Sequence, residues 1–361
     1  MSLHPLASPT WGQEEVDAVL DVVKSGNFTM GEKTSAFEKA YADYIGTKYC
    51  VAVNSGSSAN LLMTAALSLR QGVGEVIVPA IAWSTSYSPF VQCGWKLKFV
   101  DIDRNTLNYD LSALKKAYQG HELILGVNLL GNPNEFTEFP GLGSSLLEDN
   151  CESMGAEYAG MKTGNFGVMA SHSTFFSHHM STMEGGMITT DDEFYYEMLL
   201  CLRSHGWTRH LPKGNKHGIE PKQFEFIYPG YNVRPTEIQC AVGLEQLEKL
   251  PTFVDQRQKN AEKWIEHCQS MGWETQEVVK YGKSSWFGFS IVYEDIQSVK
   301  ESFDKKGIQY RPIMTGNFTK SKAIEHYEYT TEGELVNADY VSENGLFIGN
   351  HHYEIDWGFL D

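Results

Sequence analysis

The sequence predicts an α/β protein: a mainly parallel sheet with helices on both faces, followed by a smaller α+β domain. Three observations lead there. Through the first half, short apolar runs closed by turn or acidic residues alternate with helical stretches, the rhythm of strand–helix–strand units. The chain has 361 residues, 42% hydrophobic and 21% charged, enough for a large core and two domains. Beyond Pro251 the alternation gives way to a helix, the run WFGFSIVY (286–293) and another helix from Ile296 to Lys306.

In order, an amphipathic helix is expected from Gln13 to Lys24, with Val16, Val19, Leu20 and Val23 on its apolar face. The turn Ser25-Gly26-Asn27 and a helix from Lys33 to Tyr44 follow. YCVAVNSG (49–56) reads as a strand and turn, and Ala59 to Leu69 as a helix. EVIVPA (75–80), KLKFVDID (96–103), LILGVNLLG (123–131) and SSLLEDNC (144–151) read as further strands. Thr236 and Gln239 form a capping box for a helix whose apolar side is Ile238, Val242, Leu244 and Leu247. Pro251 is expected to interrupt it, so residues 1–250 are assigned to the large domain and 251–361 to the small one.

A formal net charge of -17 removes any general attraction for nucleic acid or anionic membrane. The positive groups for an anionic substrate must then be local. The opening MSLHPLASPTWG lacks a signal-peptide pattern, and no apolar run approaches a membrane span. The six cysteines are scattered, as in reduced, mostly buried thiols, and no metal site is expected. Together these point to the cytoplasm.

Ligands on such sheets sit at the carboxyl ends of strands. Three constellations lie there. NSGSSAN (54–60) offers backbone N–H groups and hydroxyls at a helix start, suited to a phosphate or simply to capping. LLEDNCES (146–153) puts Asp149 at the end of an apolar strand, where it can face a protonated ring nitrogen or cap a helix; Glu152 lies beside the same ligand or in solvent. STFFSHHMSTMEGG (173–186) carries Ser173 and the pair His178-His179 in a loop. Histidine suits proton transfer; metal binding is the weaker reading, and a plain surface loop the bland one.

Together with GNFTMG (26–31), VPAIAWSTS (78–86) and GYNVRPTEIQCAVGLEQL (230–247), these blocks resemble, in order, the DegT/DnrJ/EryC1/StrS family of sugar aminotransferases and dehydratases. The resemblance implies the fold-type-I, aspartate-aminotransferase architecture: a mainly parallel seven-stranded sheet between helices, with a smaller C-terminal domain. It implies pyridoxal 5'-phosphate or pyridoxamine 5'-phosphate as cofactor. Gly56, Ser57 and Ser173 would hold the phosphate, Asp149 the pyridine nitrogen, Trp83 the ring face, and Glu152 the ring hydroxyl. Asn232 would reach the phosphate of a neighbouring subunit, in a homodimer with shared active sites.

One position departs from the family's aminotransferases. Where they carry the cofactor-anchoring lysine, five residues after the serine, this chain has His178. Imidazole cannot form lysine's tether, so the cofactor is expected not to be covalently bound. The one lysine between Asp149 and Gly186 is Lys162, in the turn AGMKTG, expected to face solvent. The histidine pair and RPIMTGNFTK (311–320) resemble the family's metal-free sugar 3-dehydratases. That implies removal of the C3 hydroxyl from a nucleotide-linked, GDP-favoured 4-keto-6-deoxy sugar, with glutamate as amino donor and His178 as base and acid. The rivals are a nucleotide-sugar aminotransferase, which would yield an amino sugar, and a non-catalytic regulator. Retention of Asp149, Ser173, Trp83 and Asn232 argues against the latter.

Overall fold

The computed structural model describes residues 4–360; the first three residues of the opening stretch lie outside the described residues. Five apolar runs become strands Tyr49–Val53, Glu75–Pro79, Lys96–Val100, Leu123–Val127 and Gly143–Asp149. Gly167–Ser173 and Gly186–Thr190 complete the seven expected. An eighth, Tyr329–Thr331, pairs in parallel with the edge strand Lys96–Val100. Gly186–Thr190 runs antiparallel to both its neighbours, Tyr49–Val53 and Gly167–Ser173, and the remaining pairs of the sheet are parallel. The central strands are buried on both faces, with Ile124, Leu146, Leu147 and Met169 fully covered, which explains their continuous apolar character.

The helix over Gln13–Ser25 forms as expected, but its buried face differs. Val16, Leu20 and Val23 are exposed, while Glu15 and Val22 turn inward. A polar lock explains this. Lys249 Nζ and Gln246 Nε2, each 2.7 Å away, donate to Glu15 Oε1, and Gly12 N–H donates to Oε2. A buried carboxylate so satisfied fixes the helix's rotation more firmly than the apolar stripe does.

The helix with the Thr236–Gln239 capping box runs unbroken from Glu237 to Met271, with Pro251 inside. The expected interruption does not occur. Leu247 and Leu250 before the proline and Val254 after it bury in one cluster, and Ala261, Trp264 and Cys268 further on bury in another. Packing at both ends outweighs the lost backbone bond. We propose that the division between large and small domains lies in this helix near Pro251, because its buried residues change clusters between Val254 and Ala261. The later chain is not wholly separate: Ile313, Met314, Phe318, Val341 and Phe347 join the core of the large sheet. Gly288–Val292, Gly345–Gly349 and Tyr310–Arg311 make a second, three-stranded sheet, covered by the helix Ile296–Lys306.

Candidate active site

The carboxyl edge of the large sheet borders a cavity of about 290 Å³. Sheet register builds one wall. Asp149 is in register with Val127 and Ser171, and Ser173 with Gly186. Asp149 and Ser173 therefore emerge on adjacent strands at the same edge.

The helix Gly56–Gln71 starts at that edge, capped by Ser55, whose side chain accepts from Ser58 N–H. A Cβ on Gly56 would lie 2.6 Å from Ser173 Cβ and 2.9 Å from Cys151 Sγ. Only glycine lets the helix start press against these strand ends. Gly186 plays the matching part, since a Cβ there would strike the Ser55 carbonyl.

Asp149 is buried and held by four donors: Ser86 Oγ at 2.6 Å, Asn60 Nδ2 at 2.9 Å, Cys151 N–H at 3.2 Å and Ser171 Oγ at 3.5 Å. Glu152 follows in the next turn. Its Oε2 accepts from Leu130 N–H at 3.0 Å. Burial pushes its carboxyl up to about 7; the Leu130 bond opposes this and the Asp149 charge adds to it. Trp83, at the start of the helix Ser84–Gln92, presents a half-exposed indole to the cavity.

His178 lies in the loop after Ser173 and lines the cavity. Burial depresses its imidazole to about 4, and the nearby charges of Arg257 and Arg311 push the same way. The ring is therefore neutral at physiological pH. Its Nδ1 is buried and has no partner. His179 behaves differently: it turns away, and its Nε2 meets the Ser285 carbonyl at 3.0 Å.

Gly56, Ser57, Trp83, Asp149, Glu152, Ser173 and His178 thus converge on one cavity. Asn232 is not among its lining residues; Arg234 Nε donates to its Oδ1 at 3.0 Å. No lysine lines the cavity among the described residues, and Arg311 is its one permanent cation. Lys162 is half-buried rather than solvent-facing, its ammonium 4.7 Å over the Tyr44 ring and outside the cavity.

Several contributors were not assigned roles from sequence. Asn60 and Ser86 lie inside quoted motifs, and Arg311 opens another, so a signal existed for each. Phe287 lies in the run WFGFSIVY with nothing to single it out, and Met314 lies in the same motif as Arg311.

The donor set fits a pyridoxal-type cofactor. A helix start free of side-chain bulk suits a phosphate, a fixed carboxylate suits a pyridinium, and an open indole suits a flat ring. Orphaned polar atoms at Asn60 Oδ1 and His178 Nδ1 await partners.

The chain belongs to the DegT/DnrJ/EryC1/StrS aminotransferase family, whose family model matches residues 9–353. Within it, the chain is similar to GDP-4-keto-6-deoxy-D-mannose 3-dehydratase of Yersinia pseudotuberculosis, at 47% identity over 375 residues, 97% of this chain and 95% of that one. The structure of the E. coli GDP-4-keto-6-deoxy-D-mannose-3-dehydratase with bound hydrated PLP superposes with a TM-score of 0.93 at 46% identity, covering 98% of this chain and 96% of that one. A structure of the same kind of enzyme with a trapped PLP–glutamate geminal diamine gives the same TM-score, 0.93, and 46% identity, covering 98% and 97%.

Proposed function

We propose that this chain is a pyridoxal/pyridoxamine-phosphate-dependent 3-dehydratase. It removes the C3 hydroxyl of a GDP-linked 4-keto-6-deoxy sugar to give a 3,6-dideoxy-4-keto sugar, with glutamate as amino donor. The observation that carries this is His178, standing in the lysine's place in a cavity that no lysine lines among the described residues. The named relatives above, alike over nearly their whole length, support the same reading.

When bound, the cofactor supplies an electron sink beside C3 and C4 of the sugar. The chain supplies the rest. Gly56, Ser57 and Ser173 would hold the phosphate, and Asp149 would keep the ring nitrogen protonated. Trp83 would cover the ring, and Glu152 would meet its hydroxyl. His178, neutral at physiological pH, takes up a proton and delivers it to the C3 hydroxyl, which leaves as water. In the balanced reaction C3 is reduced to a methylene while glutamate becomes 2-oxoglutarate and ammonia. Without lysine, no amine of the protein recaptures the cofactor to complete transamination.

Arg311 is placed to pair with a carboxylate of glutamate. The cations for a nucleotide diphosphate lie elsewhere. Arg209 and Arg234 make no ion pair among the described residues; Arg209 lies over Trp207, which packs against the exposed Phe224 and Phe226, and the charge of Arg234 acts on Arg209. The exposed stripe Val16, Leu20 and Val23 and the absence of Asn232 from the lining of its own cavity support a homodimer in which Asn232 serves the neighbour's site. Among the described residues no helix is long and apolar enough to cross a membrane; we assign the enzyme to the cytoplasm.

Mass spectrometry of products from a panel of nucleotide-linked 4-keto-6-deoxy sugars with glutamate tests the reading. A 3-deoxy sugar with ammonia release is expected; an amino sugar overturns it. For the shared site, inactive His178→Ala and Asn232→Ala chains, co-expressed, should recover activity in verified mixed dimers.

A further inference from the structure

We propose that Phe287 is a positioning residue for His178, one that fixes the plane of the imidazole and shuts water out from it. This rests on His178 as the proton-moving group.

The Phe287 ring sits 5.2 Å from the His178 ring, tilted by 50°, and 5.8 Å from the His179 ring. It therefore packs against both histidines and lines the cavity beside the catalytic one. Its backbone is fastened at both ends. The N–H donates to the Leu130 carbonyl at 2.9 Å, and the carbonyl accepts from Arg257 Nη1 at 3.0 Å. The preceding residues are clasped too. Ser285 N–H donates to the Gly131 carbonyl, and the Ser285 carbonyl meets His179 Nε2 at 3.0 Å. A Cβ on Gly131 would lie 2.6 Å from Trp286 N, so glycine is required for this approach.

Two residues of the clasp occupy the left-handed region without being glycine: Leu130 at φ 52° and Trp286 at φ 48°. Such conformations persist only where the surroundings over-determine them, and they gather at functional sites. Here the strained pair does one identifiable thing: it delivers Phe287 to the histidines. The same Leu130 holds Glu152 through its N–H, so two sides of the cavity share one anchor.

The consequence is electrostatic. The charged and titratable groups acting on His178 are Asp149 from the strand end, Arg257 from the long helix, Arg311 from the small sheet, and His179 beside it, while Cys151, Glu152 and Glu184 line the same cavity. Yet desolvation is the first cause of its depressed basicity. An aromatic ring packed against the imidazole is a direct source of that desolvation. Removing the phenyl group admits water, and the imidazole then titrates closer to its ordinary value of 6.5.

The test uses the pyridoxamine-phosphate-loaded enzyme. In Phe287→Ala, the acid limb of kcat should move up by about one pH unit or more, with KM for the sugar near that of the parent. Nitrogen-15 histidine NMR should show the His178 titration moving in the same direction, independently of turnover. Phe287→Leu keeps an apolar wall but not a planar one. It should keep most of the low titration while kcat falls, and it serves where the alanine variant fails to fold. Folded variants with an unmoved His178 titration and a parental pH profile would overturn the proposal. A moved titration with an unmoved rate would instead count against His178 as the proton carrier.

Discussion

The two walls of the cavity are made in different ways. One comes from the strand ends and helix start between Gly56 and Ser173, where sheet register sets every position. The other comes from Phe287, Arg311 and Met314, brought in by chain more than a hundred residues later. The first wall is pre-organised by the fold itself. The second depends on a strained clasp and on long-range packing. On the proposed reading, the rigid side would hold the cofactor, and specificity for what reacts with it would fall to the other side. His178 stands where the two meet.

The largest expected effect is at that junction. His178→Ala should still bind pyridoxamine phosphate, because Asp149, Gly56 and Ser173 are untouched, yet lose dehydration by about 10²–10⁴-fold or more. Stopped-flow absorbance with ammonia release separates the two; near-parental turnover would move the proton to another group. His178→Lys should also lose dehydration, and borohydride treatment should then fix cofactor to residue 178, where the parent shows no lysine adduct.

On the rigid wall, Gly56→Ala forces a Cβ against Ser173 and Cys151. Overpacking of this kind costs about 1–3 kcal/mol. Pyridoxamine phosphate affinity, measured by calorimetry, should weaken by about 10–100-fold with the second wall undisturbed. An unchanged affinity would mean that the helix start does not hold the phosphate.

On the opposite wall, Arg311→Met should raise the KM for glutamate by about tenfold, as expected for a lost charged hydrogen bond. Single-turnover dehydration by enzyme preloaded with pyridoxamine phosphate should be nearly unaffected. If both fall together, Arg311 serves the sugar half-reaction instead.

The smallest effect concerns Glu152, which both walls touch. Its carboxyl titrates near 7 in the folded chain against an ordinary 4.5. A raised folded value means that this contribution to stability is present below 4.5 and is lost as pH rises through 7. Glu152→Gln should remove that slope, so the melting temperatures of parent and variant diverge by a few degrees between these limits. Parallel melting curves would show that the carboxyl is not shielded from water.

The contrast between the walls also explains what the sequence made legible. Strand runs, the strand-to-helix turn and the capping box are local, and Asp149, Ser173, Gly56 and His178 follow from them by position. Glu152 follows likewise from LLEDNCES, and the resemblance to a family then gave Trp83 its expected place on the ring face. Phe287 was not legible because an apolar residue opening a strand looks the same whether it faces a core or a catalytic ring. The rotation of the first helix was misread for a related reason. The apolar stripe of Val16, Leu20 and Val23 was visible, but the partners that bury Glu15 are more than 200 residues away. Pro251 misled likewise: its local preference was clear, and the packing at both ends that overrides it was not.

The late strand Tyr329–Thr331 has a consequence for biosynthesis. Until it emerges from the ribosome, the strand Lys96–Val100 presents an open edge, and the core around Phe99 lacks Phe318, Val341 and Phe347. Nascent chains shorter than about this length expose the kind of edge that pairs with other chains. The sheet cannot finish folding from its amino-terminal part alone, and it closes only once Tyr329–Thr331 is free to pair with Lys96–Val100.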